Sequence, residues 1–282
     1  MIDVHDWQGK TGDSWAAEWR RTDRSFAVLT TELLRRALAA PFRQALDIGG
    51  GAGELALELA QRQPQAEVVG VDLSESLSRI ARERAAELPQ GQGSLSFAAA
   101  DATSWQPAAG FAPDLLLSRH GVMFFADPVA AFTHFHDLAA VGARLVFSCF
   151  RLPAESPFFT DVNALLPQSA IAGDADTAAY VPGPFAFAEE ERITVILQSA
   201  GWTNISMEAF DFSMVSGAGP DPVEDAIGYY STIGPAARAM AGLDSSQRAE
   251  LRARLRVYAQ AKLQEGQVSG RAGAWIVQAI KA

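Results

Sequence analysis

The chain has 282 residues, 49% of them hydrophobic and 20% charged, enough apolar surface to offset the entropy of ordering it, so a largely disordered chain is excluded. Its 23 basic and 33 acidic side chains leave a net charge of −10, which argues against gripping phosphate backbones as the main task, since that takes clustered Lys and Arg. One cysteine, Cys149, leaves no partner within the chain for a disulfide and no cysteine-based zinc site.

Residues 14–40 carry helical spacing, with Trp15 and Trp19 at i, i+4 and Phe26, Leu29, Leu33 and Leu34 further along one face; Pro41 ends it. A short apolar strand over 44–48 then stops in Gly49-Gly50-Gly51-Ala52-Gly53. A helix over 54–61, a strand over 66–71 closed by Asp72, and a helix over 75–88 capped by Ser74 follow. Strands are expected over 94–100 and 113–117, the second apolar enough to be buried on both faces. Asp127-Pro128 opens a helix to Ala140, and 144–150 is a fifth strand. This alternation predicts an α/β fold, a doubly wound, mostly parallel sheet with helices on both faces. Five prolines between 153 and 184 then break the rhythm and predict an irregular cap over 152–188. A helix over 189–200, a strand over 204–215, helices within 216–266 (clearest over 246–263) and a closing strand over 274–280 complete the chain. No apolar run approaches the ~20 residues that cross a bilayer. The first residues carry no basic, then apolar leader, so a cytoplasmic protein without membrane insertion is expected.

The chemistry is concentrated at the glycine turn. A strand delivers the chain to positions where missing side chains permit left-handed dihedrals and close approach to a ligand, and the helix behind offers free amides. In open parallel sheets, ligands bind at this end of the strands. A dinucleotide fingerprint would place a third small residue at position 54, which holds Glu54; the spacing is instead G-x-G-x-G, with Asp47 two residues ahead. Asp72 ends the second strand, Asp101-Ala102 the third, and Ser118 the fourth.

This whole pattern resembles the first motifs of class I S-adenosylmethionine-dependent methyltransferases. The run Ser118-Arg119-His120-Gly121-Val122-Met123-Phe124-Phe125-Ala126-Asp127-Pro128 resembles the small-molecule subgroup of the ubiquinone/menaquinone-biosynthesis type. So do Trp7-Gln8-Gly9 with Trp15, Ile233-Gly234-Pro235-Ala236-Ala237-Arg238, and Ala274-Trp275-Ile276-Val277. The resemblance implies the seven-stranded Rossmann-like methyltransferase fold. In it, 1–41 is an N-terminal helical lid segment and 42–151 the cofactor-binding half of the sheet. Residues 152–188 form the cap, and 189–282 complete the sheet with a helical insertion at about 216–266.

The implied cofactor is S-adenosylmethionine, leaving as S-adenosylhomocysteine, with no metal. Asp47 and the turn glycines Gly49, Gly51 and Gly53 would hold its methionine end, with Ser118 on the strand that runs beneath. Asp72 and Leu73 would take the ribose side, Asp101 and Ala102 the adenine, and Trp15 would fold over. His120 is the candidate general base for a hydroxyl acceptor, in a position where relatives more often carry an apolar aromatic; its alternative is a packed histidine satisfied by backbone. Arg119, Met123, Tyr180, Tyr229 and Tyr230 are candidate substrate contacts, with an ion pair the competing reading for Arg119 and ordinary packing for the tyrosines. His134 and His136, two apart on a helix, do not form a metal pair. The basic residues 248–262 read as a solvated face.

The expected partner is a small, partly apolar substrate; whether oxygen, nitrogen or carbon is methylated stays open, as does oligomeric state. Neither an Asn/Asp-Pro-Pro-Tyr run nor a Pro-Cys nucleophile follows the fourth strand, which disfavours nucleic acid. An NAD(P)-dependent oxidoreductase and a non-catalytic module binding S-adenosylmethionine or another metabolite are the rival readings.

Overall fold

Residues 7–89, 94–167 and 180–282 are described by the computed structural model. Parts of the 1–41 and 152–188 segments therefore lie outside the described residues. Helix α1 (Lys10–Ala17) leads into α2 (Trp19–Ala37). The single helix expected over 14–40 is thus two, which start earlier and break at Glu18 (φ −105°, ψ 16°). The second stops at Ala37, where the Arg144 guanidinium takes over the last carbonyls, donating to Ala37 O and Ala40 O at 2.9 Å.

The Rossmann-like half follows: β1 (Gln44–Ile48), α3 (Glu54–Arg62), β2 (Glu67–Asp72), α4 (Glu75–Ala86), β3 (Ser94–Ala99), β4 (Leu115–Arg119), α5 (Pro128–Leu138) and β5 (Arg144–Phe150). These five strands pair in parallel. Leu115, Leu116 and Leu117 are fully buried, as their unbroken apolar run requires. Caps hold the helix entries: the Ser74 hydroxyl accepts from Leu77 N–H at 3.3 Å and the Asp127 carboxylate from Ala130 N–H at 3.0 Å.

The second half adds α6 (Pro157–Asn163), α7 (Glu190–Ser199), β6 (Trp202–Gly217), α8 (Pro222–Thr232), α9 (Pro235–Ala241), α10 (Ser245–Lys262), the two-residue β7 (Leu263–Gln264) and β8 (Gln267–Lys281). Strand order is β3-β2-β1-β4-β5-β8-β6, with β7 an appendage of β8. Strand β8 runs antiparallel to both neighbours. It begins seven residues before the expected 274 because Gly270 and Gly273 mask its alternation. Both mark close approaches: a Cβ at Gly270 would sit 3.2 Å from Phe158 Cα, and one at Gly273 3.2 Å from Glu155 O. The segment after Arg151 is less irregular than its prolines suggest, since Pro157 starts α6.

From β1 the chain moves outward to β3 and then returns to β4 on the other side. That reversal leaves a crevice beyond the carboxyl ends of β1 and β4. Parallel register, with Ile48 opposite Val71 and Asp72 opposite Ala99, brings the ends of β1, β2 and β3 to this one edge.

Candidate active site

The glycine turn is held by backbone. Gly49 and Gly50 both donate to Val71 O, at 2.8 and 3.1 Å, while Gly49, Gly51 and Gly53 take left-handed φ values of 65°, 56° and 84°. The Asp72 carboxylate clamps the turn to the start of α4, accepting from Gly51 N–H and Ser74 N–H at 2.8 Å each. Burial raises the Asp72 pKa, against the pull of these two amides.

The three glycines differ. A Cβ at Gly53 would lie 2.9 Å from Ala81 Cβ and from Phe97 Cζ, whereas nothing lies within 4 Å of one at Gly51. Gly53 is therefore a packing position beneath the site, and Gly51 faces open space. Gly53→Ala is expected to cost about 2–4 kcal/mol, from the left-handed dihedral and the overpacking, lowering the melting temperature by about 4–12 °C; a scanning-calorimetry melt within 1 °C of wild type would contradict this.

Over the turn lies a cavity of about 960 Å³, near the top of the ~300–1,000 Å³ range of small-molecule sites. Trp7, Lys10, Trp15 and Trp19 form its roof. Helix α1 is seated because Gly12 lacks a side chain: a Cβ there would meet Ser74 Oγ at 2.4 Å. Trp19 is fixed between the Arg20 and Arg84 guanidinium groups, 4.3 and 4.1 Å from its ring centre.

Asp47 lines this cavity, is 1% exposed, and has neither carboxylate oxygen in a hydrogen bond. Burial pushes its pKa up to about 7, with the Arg119 charge and the nearby Ala56 backbone N–H, which is outside good hydrogen-bond geometry, pulling the other way. Leu73, Asp101 and Ala102 also reach the cavity; Asp101 is exposed and accepts from Thr103 N–H (2.9 Å) and Oγ1–H (2.7 Å).

Ser118 does not reach the wall. Its buried hydroxyl donates to Ile48 O at 2.7 Å and accepts from Gly121 N–H at 3.2 Å, tying the ends of β1 and β4 together under the site. Gly121 is the residue that sequence reasoning missed. A Cβ there would sit 2.9 Å from Ile48 O and 3.1 Å from Gly49 Cα, so its smallness lets the two loops touch. A glycine two residues past a strand end was the only available signal.

His120 stands at left-handed φ 63°, 7% exposed, with its ring stacked on Phe150 (centroids 4.0 Å apart) and edge-on to Phe26. Its Nδ1 is 3.5 Å from Ser148 Oγ, while Nε2 has no partner. Burial, then the neighbouring Arg119 charge, lowers its pKa to about 3, so the imidazole is neutral at physiological pH.

Arg119 lines the cavity but its guanidinium is engaged elsewhere: it pairs with Glu54, donates to Thr30 Oγ1 at 2.7 Å and lies 3.4 Å from Asp23. Met123, Tyr229 and Tyr230 line the cavity; Tyr180 does not, and its hydroxyl donates to Phe125 O at 2.9 Å. Phe26, Phe150, Phe158, Phe159 and Phe185 add aromatic walls from distant segments. Among the described residues no His/Cys/Asp/Glu group is arranged to hold a metal, and no helix is long and apolar enough to cross a membrane.

A sheet of this order, a G-x-G-x-G turn after β1 and carboxylates at the ends of β1, β2 and beyond β3 around one cavity define the S-adenosylmethionine-dependent methyltransferase architecture. A methyltransferase-domain family model matches residues 45–142. The demethylmenaquinone methyltransferase of Deinococcus radiodurans is 31% identical over 174 residues, 59% of this chain and 70% of that protein. That of Thermus thermophilus is 31% identical over 57% of this chain and 74% of its own length. The trans-aconitate 2-methyltransferase of Methylobacterium radiotolerans is 38% identical over 40% of each chain. Among solved structures, a Bacillus halodurans methyltransferase superposes with TM-score 0.55 at 17% identity, covering 89% of this chain and 98% of that one. Haemonchus contortus phosphoethanolamine N-methyltransferase 2, in complex with S-adenosyl-L-methionine, gives 0.56 at 17% identity over 100% of this chain and 60% of that one. The chain belongs to the class I S-adenosylmethionine-dependent methyltransferases: it is an enzyme, and S-adenosylmethionine is its cofactor. The oxidoreductase and non-catalytic readings fall with that assignment.

Proposed function

We propose that the 960 Å³ cavity holds S-adenosylmethionine over the glycine turn and a small, partly apolar acceptor beside it, between the aromatic walls. The observation that carries this is Asp47, a buried carboxylate facing the cavity with both oxygens unpaired, next to the open space over Gly51. A buried carboxylate without a partner is costly, and a cationic ligand group such as the cofactor's α-ammonium relieves that cost. Asp72 keeps lone pairs free beyond its two amide contacts, which suit the two ribose hydroxyls, with Leu73 beside it. Asp101 and Ala102, at the far side, suit the adenine. Trp15 and the rest of α1 cover the ligand and keep water out; α1 is in this reading the lid, while α2 packs on the sheet with Leu29 and Leu33 buried in the core, 42–151 is the cofactor half, and the described parts of 152–188 with 216–266 shape the acceptor side. The matched family model, residues 45–142, lies within the 42–151 half and stops just before β5.

When bound, the cofactor supplies a methyl group already activated by its sulfonium. The protein's task is alignment and dehydration of the acceptor. The Phe150 stack and the short turn after β4 hold the His120 ring, and its unpartnered Nε2 can accept a hydrogen bond that orients a hydroxyl acceptor; with its pKa held near 3 the ring is a positioning group rather than a strong base. Demethylmenaquinone and trans-aconitate, named for the relatives, support a small-molecule acceptor; the acidic net charge and the missing nucleic-acid motifs speak against a polynucleotide. A lone, buried Cys149 thiol suits a cytoplasmic setting.

For a hydroxyl acceptor, His120→Ala is expected to lower kcat about tenfold, the scale of one lost orienting hydrogen bond, and to leave the S-adenosylhomocysteine Kd within twofold. Single-turnover transfer of labelled methyl tests it across hydroxyl and amine acceptors. Unchanged turnover on a hydroxyl acceptor would remove His120 from the reaction, and absence of transfer to every acceptor would count against the cavity as a methyl-transfer site.

A further inference from the structure

Charge around the cavity is uneven. Asp47, Asp72, Asp101 and Asp127 line it at the sheet edge and the α5 N-terminus. Lys10 lies over that end, on the helix seated against Ser74. The other end is built by α6, α8 and α9, with Phe158, Phe159, Tyr229, Tyr230 and Ile233. Asp23 and Arg119 line the cavity beside Phe26 but pair with each other, whereas Arg238 of α9 lines it from the α6–α8–α9 side. Left-handed Gly234 and Pro235 at the first helical position set the direction of that short helix, which packs against α6 and α8. Pro235, Arg238 and Ala241 all line the cavity; at i, i+3 and i+6 they form one face of α9, so Arg238 is on the cavity side of its helix.

No ion pair or side-chain hydrogen bond to a described residue engages its guanidinium. Arg119, by contrast, is neutralised by Glu54 and Asp23. Arg238 is exposed while lining the cavity, and the walls around it lower its pKa. Its exposed guanidinium is therefore hydrated and available to a ligand's counter-charge. A planar guanidinium fork matches a carboxylate through two parallel hydrogen bonds, and a single fork suits a monoanion.

We propose that Arg238 is the specificity-determining residue for the acceptor, selecting molecules that join an aromatic body to a carboxylate. The aromatic body lies against Phe158, Phe159 and the two tyrosines, and the carboxylate meets Arg238. This rests on the methyltransferase reading of the same cavity, and deepens it by naming the acceptor's chemical class.

The test uses the full chain saturated with S-adenosylhomocysteine and two matched probes, 6-hydroxy-2-naphthoate and 6-hydroxy-2-naphthamide, titrated calorimetrically. Wild type should bind the acid about tenfold more tightly than the amide, the scale of one charge-assisted contact at a wet rim. Arg238→Gln should bring the acid down to the amide and leave the amide and S-adenosylhomocysteine Kd values unchanged. Arg238→Lys should retain part of the preference. Equal binding of acid and amide to wild type, no binding of either, or an acid preference that survives Arg238→Gln would overturn the proposal. Failure of S-adenosylhomocysteine itself to bind wild type would instead overturn the underlying assignment of the cavity.

Discussion

Asp47→Asn should weaken S-adenosylhomocysteine binding about 100-fold at pH 7.5 and, in the ligand-free protein, raise the melting temperature. Both effects come from one buried carboxylate. Its folded pKa of about 7 stands well above the ordinary 3.8, so between about pH 4 and pH 7 the unfolded chain has released a proton that the folded chain retains. Stability from this group is therefore greatest in acid and declines as pH rises through that window, by up to about 4 kcal/mol. The asparagine removes that decline but leaves an amide to satisfy, so a gain of about 1–2 kcal/mol, or roughly 2–8 °C, is expected at pH 7.5 and none at pH 4. Ligand binding follows the opposite sign. An α-ammonium needs the ionised carboxylate, so wild-type Kd should rise about tenfold per pH unit below pH 7, and the variant's should stay flat. Truncating one partner of such a buried pair costs about 2–5 kcal/mol, which sets the hundredfold scale. Calorimetric titrations from pH 5 to 7.5 read both slopes; equal Kd values in the two proteins would place the ammonium elsewhere.

Arg119→Met should destabilise the protein by about 3 kcal/mol and lower its melting temperature by about 6–12 °C. The guanidinium joins β4 to α3 through Glu54 and to α2 through Asp23 and Thr30, and its side chain is 15% exposed beside carboxylates at 18% and 14%. Asp23 would keep Arg84 at 2.9 Å; Glu54 would keep only the Thr30 hydroxyl. Adding Glu54→Gln to the variant should recover a large part of the loss, because the stranded charge is gone. A substrate-binding Arg119 would behave differently, with an unchanged melt and a raised acceptor KM, and thermal melts of the single and double variants separate the two.

How much of this was legible before folding depends on how far apart the cooperating residues lie. The cofactor-side half was readable because each strand ends within a few residues of a marker: Gly49 after β1, Asp72 at the end of β2, Ser74 and Asp127 as helix caps. Strand β5 was legible to the residue, bounded by Gly142 and Pro153. The acceptor side was not, since Phe26, Phe150, Phe185, Met214 and Tyr229 meet there from segments with no common spacing. The engagement of Arg119 depends on residues 65 and 96 positions away. Ser118 and Gly53 carry motif positions yet serve as supports beneath the cavity, a distinction that only their packing reveals. The early start of β8 was hidden by glycines that weaken a strand's local signal because another backbone lies against them.

The most direct test of the central claim is a calorimetric titration of S-adenosylhomocysteine, run on wild type and Asp72→Ala and beside NAD. The expected result is one site per chain with micromolar affinity, at least tenfold weaker binding in the variant, since Asp72 holds the turn as well as facing the ribose, and no heat with NAD. Binding of NAD with silence toward S-adenosylhomocysteine, or an affinity untouched by Asp72→Ala, would contradict it.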